Sequence, residues 1–158
     1  MKRRAALALL LLAGLPGRAW AVANCSTSAT SVAFGNYNPF SASATTSTGT
    51  VTVSCSLLGL ISLGVNYKIK LSAGTGSSGY NPRQMANGVN KLNYNLYLDT
   101  NNGTGTIWTS TAPNIVEDGY FLGLGTVTRH YTVYGRIPAL QNARRGTYLD
   151  TITVTVDY

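Results

Sequence analysis

The segment that most constrains the fold is the last one. Gly146-Thr147-Tyr148-Leu149-Asp150-Thr151 leads into Ile152-Thr153-Val154-Thr155-Val156-Asp157-Tyr158. Ile152, Val154, Val156 and Tyr158 fall on one face, and Thr151, Thr153, Thr155 and Asp157 on the other. Period-two alternation of β-branched residues describes a half-buried strand. The sequence stops at Tyr158, so no later strand is expected to hairpin onto this one. At a sheet edge, its backbone donors and acceptors would need a partner from elsewhere.

The same period recurs upstream. Val51, Val53 and Cys55 share a face in Thr50 to Cys55, and Val65, Tyr67, Ile69 and Leu71 share one in Val65 to Ser72. Leu92, Tyr94, Leu96 and Leu98 do the same, and Arg129 to Ile137 forms another run ended by Pro138. A short strand over Ser31 to Phe34 is expected to open the domain, and Ala112 to Asp118 to make one helical turn. Gly- and Asn-rich turns separate the runs at Ala73 to Gly79, Thr100 to Gly105, Gly123 to Gly125 and Arg145-Gly146. Glu, Lys and Met, which fill helix surfaces, are scarce. The expected fold is an all-β sandwich.

The front end sets the compartment. Lys2, Arg3 and Arg4 precede an apolar run from Ala5 to Leu15, followed by small residues at cleavage spacing up to Ala21 or Ala23. Residues 1–23 therefore read as a secretory signal peptide and 24–158 as one domain. The apolar run is shorter than the ~20 residues that span a bilayer, so no membrane span is expected after cleavage. Lys2, Arg3, Arg4 and Arg18 leave with the signal, and the mature chain keeps eight basic and five acidic residues. That balance is too mild and too scattered for a nucleic-acid surface; Lys68, Lys70 and Arg144-Arg145 read as solvated charge. Cys25 and Cys55, an even count in an exported chain, are expected to form one disulfide. Neither has a Cys or His at ligand spacing, so no metal is expected.

Catalytic chemistry is not visible. The single histidine, His130, has no evident partner, and the acids are scattered, with only Glu117-Asp118 adjacent. Gly74-Thr75-Gly76-Ser77-Ser78-Gly79 matches a dinucleotide fingerprint but is not followed by a helix start. Asp99 to Gly103 resembles a calcium loop but has Ser110 where glutamate is required. The chain is therefore read as a non-enzyme without cofactor.

Several strings together resemble the spore coat protein U domain family, subunits of archaic, Csu-type chaperone–usher pili. They are Phe34-Gly35-Asn36-Tyr37-Asn38-Pro39, Gly49 to Cys55, Tyr80-Asn81-Pro82-Arg83-Gln84-Met85, Leu92 to Asp99, Tyr131 to Pro138 and Gly146 to Tyr158. The resemblance implies an immunoglobulin-like β-sandwich that lacks its last strand. It implies a periplasmic chaperone that lends a strand, an outer-membrane usher, and a neighbouring subunit whose donor strand replaces the chaperone's. Ile152, Val154, Val156 and Tyr158 would line one wall of the acceptor groove, and Val32 and Phe34 the other.

Two departures from that pattern matter. After cleavage only Asn24, or Val22 to Asn24, precedes Cys25, whereas a donor strand needs on the order of ten residues at ~3.3 Å each. A subunit that accepts a strand but offers none is expected at the tip of a polymer. Around Trp108, where family members often carry a Trp-Gly-Asp-Gly-like turn, this chain has Trp108-Thr109-Ser110-Thr111. The following loop carries Tyr120, Phe121 and Leu122, which belong either to another core strand or to an exposed adhesive patch. Two alternatives to a pilus subunit are a self-complete secreted coat domain and a carbohydrate-binding β-sandwich, in which Tyr and Trp rings would stack on sugars.

Overall fold

The computed structural model describes residues 22–58, 63–100, 105–122 and 125–158. The signal peptide expected over residues 1–23 falls almost wholly outside them. Eight strands occur in chain order: β1 (Val22–Ala29), β2 (Thr45–Leu58), β3 (Leu63–Leu71), β4 (Arg83–Asn87), β5 (Asn90–Tyr97), β6 (Val116–Leu122), β7 (Thr126–Ile137) and β8 (Val154–Asp157). They form two antiparallel sheets, ordered β1-β2-β7-β5-β4 and β6-β3-β8.

The alternation read from sequence fixes which faces meet. Val51, Val53 and Cys55 of β2, and Leu92, Tyr94 and Leu96 of β5, project from the larger sheet. Val65, Tyr67, Ile69 and Leu71 of β3 meet them from the smaller one. Trp108 is fully buried between the sheets and donates its indole Nε1–H to the Ile69 carbonyl at 3.0 Å. A buried Trp needs such an acceptor for its one polar atom.

Cys25 and Cys55 are directly paired across β1 and β2, with Cα atoms 4.0 Å apart, and form the expected disulfide. It closes a separation of 30 residues. Chain entropy assigns such a loop about 3–4 kcal/mol. The doubly substituted Cys25→Ala/Cys55→Ala chain is expected to lose about that much, read from guanidinium unfolding midpoints.

Two expectations are corrected. Ser31 to Phe34 is not a strand; pairing with β2 ends after Thr30, whose N–H donates to the Thr50 carbonyl at 2.9 Å. The chain then crosses the inner face of the larger sheet, and Ser47 Oγ donates to the Ala33 carbonyl at 2.7 Å. Ala112 to Asp118 contains no helix, since a turn closed by Asn114 N–H on the Thr111 carbonyl leads straight into β6. Pro113 offers no N–H to a helical ladder, and Thr109 Oγ1 captures the Thr111 N–H at 3.2 Å.

A polar tie joins the sheets away from the groove described below. Tyr67 on β3 is hydrogen-bonded to Tyr131 on β7, and Tyr131 donates its hydroxyl to Asp118 Oδ2 on β6 at 2.6 Å. That hydrogen bond, helped by Gly119 N–H and Arg129 against partial burial, holds the Asp118 carboxyl below its ordinary 3.8. Burial raises the Tyr131 phenol, which therefore stays protonated as the donor. A carboxyl with a depressed folded pKa stabilises the fold above its unfolded value and loses that contribution as pH falls through the folded one. Stability is thus expected to drop as pH falls below 3.8, and Asp118→Asn to flatten that acid limb in a pH series of unfolding midpoints.

Candidate partner-strand groove

β8 lies at the edge of the smaller sheet. Its pairing with β3 runs Leu71 to Val154, Lys70 to Thr155, Ile69 to Val156 and Lys68 to Asp157. The Thr153 carbonyl accepts from Ser72 N–H at 3.0 Å, so Thr153, Thr155 and Asp157 direct their backbone groups at β3. By the same alternation, Ile152, Val154 and Val156 aim their N–H and C=O groups away from it. Among the described residues no strand pairs with that side. The side chains of the same three residues turn inward and pack, half-buried, against the core.

Opposite this edge, Val32 and Phe34 rest on the larger sheet. They can do so because two strand positions there carry no side chain. A Cβ on Gly135 would come within 2.5 Å of Val32 and 2.7 Å of Phe34. One on Gly49 would lie 2.9 Å from Val32 and 2.8 Å from the Thr30 carbonyl. Glycine inside a strand weakens it but admits a close neighbour. Gly135→Val is therefore expected to displace Val32 and Phe34, lowering stability by about 1–3 kcal/mol and weakening any partner held there; thermal unfolding with and without the partner checks both.

Between Val32 and Phe34 on one side and Ile152 and Val154 on the other runs a groove of about 980 Å³. Its floor is core: Val51, Leu71, Leu96 and Val133. Four of the residues expected to line the walls are thus brought together. Val156 packs on the core beyond the groove lining, while Tyr158 is 63% exposed and borders a separate depression with Lys68, Glu117 and Asp157.

The expected adhesive residues divide. Tyr120 turns inward, edge-on to Tyr67 at 5.9 Å, and donates its hydroxyl to the Val127 carbonyl at 3.3 Å. Phe121, on the other face of β6, is 82% exposed. The Leu122 side chain lies outside the described residues. His130 is exposed, with Nδ1 3.0 Å from Thr52 Oγ1. Among the described residues no three His, Cys, Asp or Glu side chains converge on a metal position.

Asp150 is a site residue that sequence reasoning passed over. Its Oδ1 accepts from Thr75 N–H, Thr75 Oγ1, Gly76 N–H and its own neighbour's Thr151 N–H, and its Oδ2 from the Tyr94 hydroxyl. It fixes the approach to β8 onto β5 and onto the glycine-rich loop that matches the dinucleotide fingerprint. The Gly74 and Gly76 positions in that loop leave room for the Asp150 side chain and the Gln84 carbonyl.

Comparison with known proteins bears on the family and the fold. A family model described as Spore Coat Protein U domain matches residues 12–155. Among solved structures, the chain is similar to one in a pre-assembly complex of CsuC and CsuE, chaperone and tip adhesion subunit of archaic chaperone-usher Csu pili of Acinetobacter baumannii. The similarity has a TM-score of 0.51 at 22% identity, over 87% of this chain and 40% of the other, and is one of fold. No curated protein matches the sequence.

Proposed function

The chain belongs to the Spore Coat Protein U domain family, and on that premise we propose that it is a structural subunit of a surface pilus or coat, assembled by accepting a strand from a partner. One observation carries the reading: the unpaired side of β8 faces an apolar groove whose floor is the core itself. An extended segment laid there would gain backbone hydrogen bonds from Ile152, Val154 and Val156 and place alternate side chains on the floor. A periplasmic chaperone supplies that segment during export in this proposal, and a neighbouring subunit's donor strand supplies it at the surface, after passage through an outer-membrane usher. The likeness to a chain from a chaperone–subunit complex supports the first step.

A terminal position in the polymer is part of the proposal. Val22–Ala29 is paired residue by residue with β2 and fastened at Cys25, so this segment is not a free donor arm. A mature N-terminus mapped well upstream of Ala21 would remove that support. Phe121, exposed on β6, is available to an adhesive role.

Native purification from the periplasm with an internal tag that leaves Tyr158 free tests the assembly reading. A one-to-one complex with a chaperone is expected, with proteolysis of the chain when the partner is deleted. A protease-resistant monomer obtained alone would instead support a self-complete coat or glycan-binding domain.

A further inference from the structure

The groove floor is apolar, but the groove lining also carries charge. Its charged lining residues are Arg144, Arg145 and Asp150. Asp150 is saturated by the donors from Thr75, Gly76, Tyr94 and Thr151, so its carboxylate is already answered within the fold. Arg144 and Arg145 are exposed, and the ion pairs among the described residues, Lys68–Glu117 and Lys70–Asp157, both involve β3 instead. Their loop is held in place: Leu149 exchanges backbone hydrogen bonds with Ala86 at 2.8 and 3.0 Å, and Gly146 lies against Asn87. The backbone of the cationic pair is therefore held at the start of the lining segment that runs from Ala143 to Val154, at the opposite end of that segment from β8.

We infer that the groove selects a donor segment with acidic residues at the end lying over Arg144 and Arg145, behind an alternating apolar stretch that covers the floor. This inference rests on the strand-accepting reading above and names the chemistry of the strand accepted. The apolar alternation supplies affinity without direction, because any β-strand has a period of two. A charge fixed at one end distinguishes a segment laid in the right sense from its reverse, and from one slipped in register. Complementary rim charges act chiefly on the rate of encounter and on discrimination between partners. Two exposed pairs of this kind are expected to change displacement by about tenfold at low salt.

The test uses the mature chain purified with its native groove-filling partner. Synthetic peptides of about ten alternating Val and Thr residues, a length set by strand rise, carry two Glu, two Gln or two Lys at either terminus. The rate at which each displaces the partner is measured at low and high salt. At one terminus, Glu is expected to act about tenfold faster than Gln and Lys slower, with the spread collapsing at high salt. Arg144→Glu/Arg145→Glu is expected to invert the order. Equal rates for Glu, Gln and Lys peptides, or an order that survives the charge reversal, would overturn the inference while leaving strand acceptance intact. If no peptide enters, the Gln series included, the strand-accepting reading falls and takes the inference with it.

Discussion

Replacing Arg83 with methionine is expected to lower stability by about 4–6 kcal/mol, in the far tail for a single substitution. Arg83 is completely buried, yet among the described residues no carboxylate forms an ion pair with it. Its guanidinium instead binds carbonyl groups. Nε and Nη2 donate to the Ser72 carbonyl at 3.1 and 2.9 Å, Nη2 to the Trp108 carbonyl at 2.6 Å, and Nη1 to Asn95 Oδ1 at 2.9 Å. The Tyr80 ring covers the guanidinium at 5.0 Å. Methionine keeps the stem volume but strips the donors from the buried Trp108 carbonyl and the half-buried Ser72 carbonyl, each worth roughly 1–3 kcal/mol when left unsatisfied, while Asn95 Oδ1 keeps only the Leu96 N–H. Ser72 also fastens Thr153 at the start of β8, so the loss reaches the groove. Arg83→Lys retains the charge but not the planar fork, and is expected to recover less than half of the deficit. Guanidinium unfolding of the purified protein with its partner bound gives both numbers. A deficit near 1 kcal/mol for methionine would show that water replaces the donors.

The second large effect concerns function. Val154→Asp places a carboxylate on the groove wall that the proposed partner strand would cover. Burying an unpaired charge costs several kcal/mol, so partner binding is expected to weaken by at least about 100-fold. Thr155→Asp, one residue along and on the exposed face, is the matched control and is expected to bind normally. Recovery of the partner on the tagged chain reads the pair directly. Equal recovery from the two variants would mean that the partner does not touch this wall.

The sequence carried the core well because alternation is enforced by burial on one face. Val51, Val53, Cys55, Val65, Tyr67, Ile69, Leu71, Leu92, Tyr94 and Leu96 were all legible from period two, and all are buried. The disulfide followed from cysteine count and compartment. What could not be read was set by tertiary contact. Val32 and Phe34 alternate like a strand, but their partners are the bare backbones of Gly49 and Gly135, not a paired neighbour. Arg83 sits in a polar-looking string, and only the convergence of Ser72, Asn95 and Trp108 makes it a core residue. Asp150 is one acid among scattered ones until Thr75, Gly76 and Tyr94 close on it. Tyr158 continues the alternation of β8 but passes the last paired position, Asp157, and stays exposed. Periodicity thus finds what is buried, whereas long-range polar contacts are invisible to it.

In the strand-accepting reading, the outer side of β8 is completed by a foreign strand. Residue-resolved amide hydrogen exchange at Val154 and Val156 reads this edge, in the chain with its partner and in the chain made alone. Both amides are expected to be strongly protected with the partner bound and to exchange rapidly without it. Equal, strong protection in an isolated monomer would mean that the chain itself closes the edge and that no foreign strand is needed.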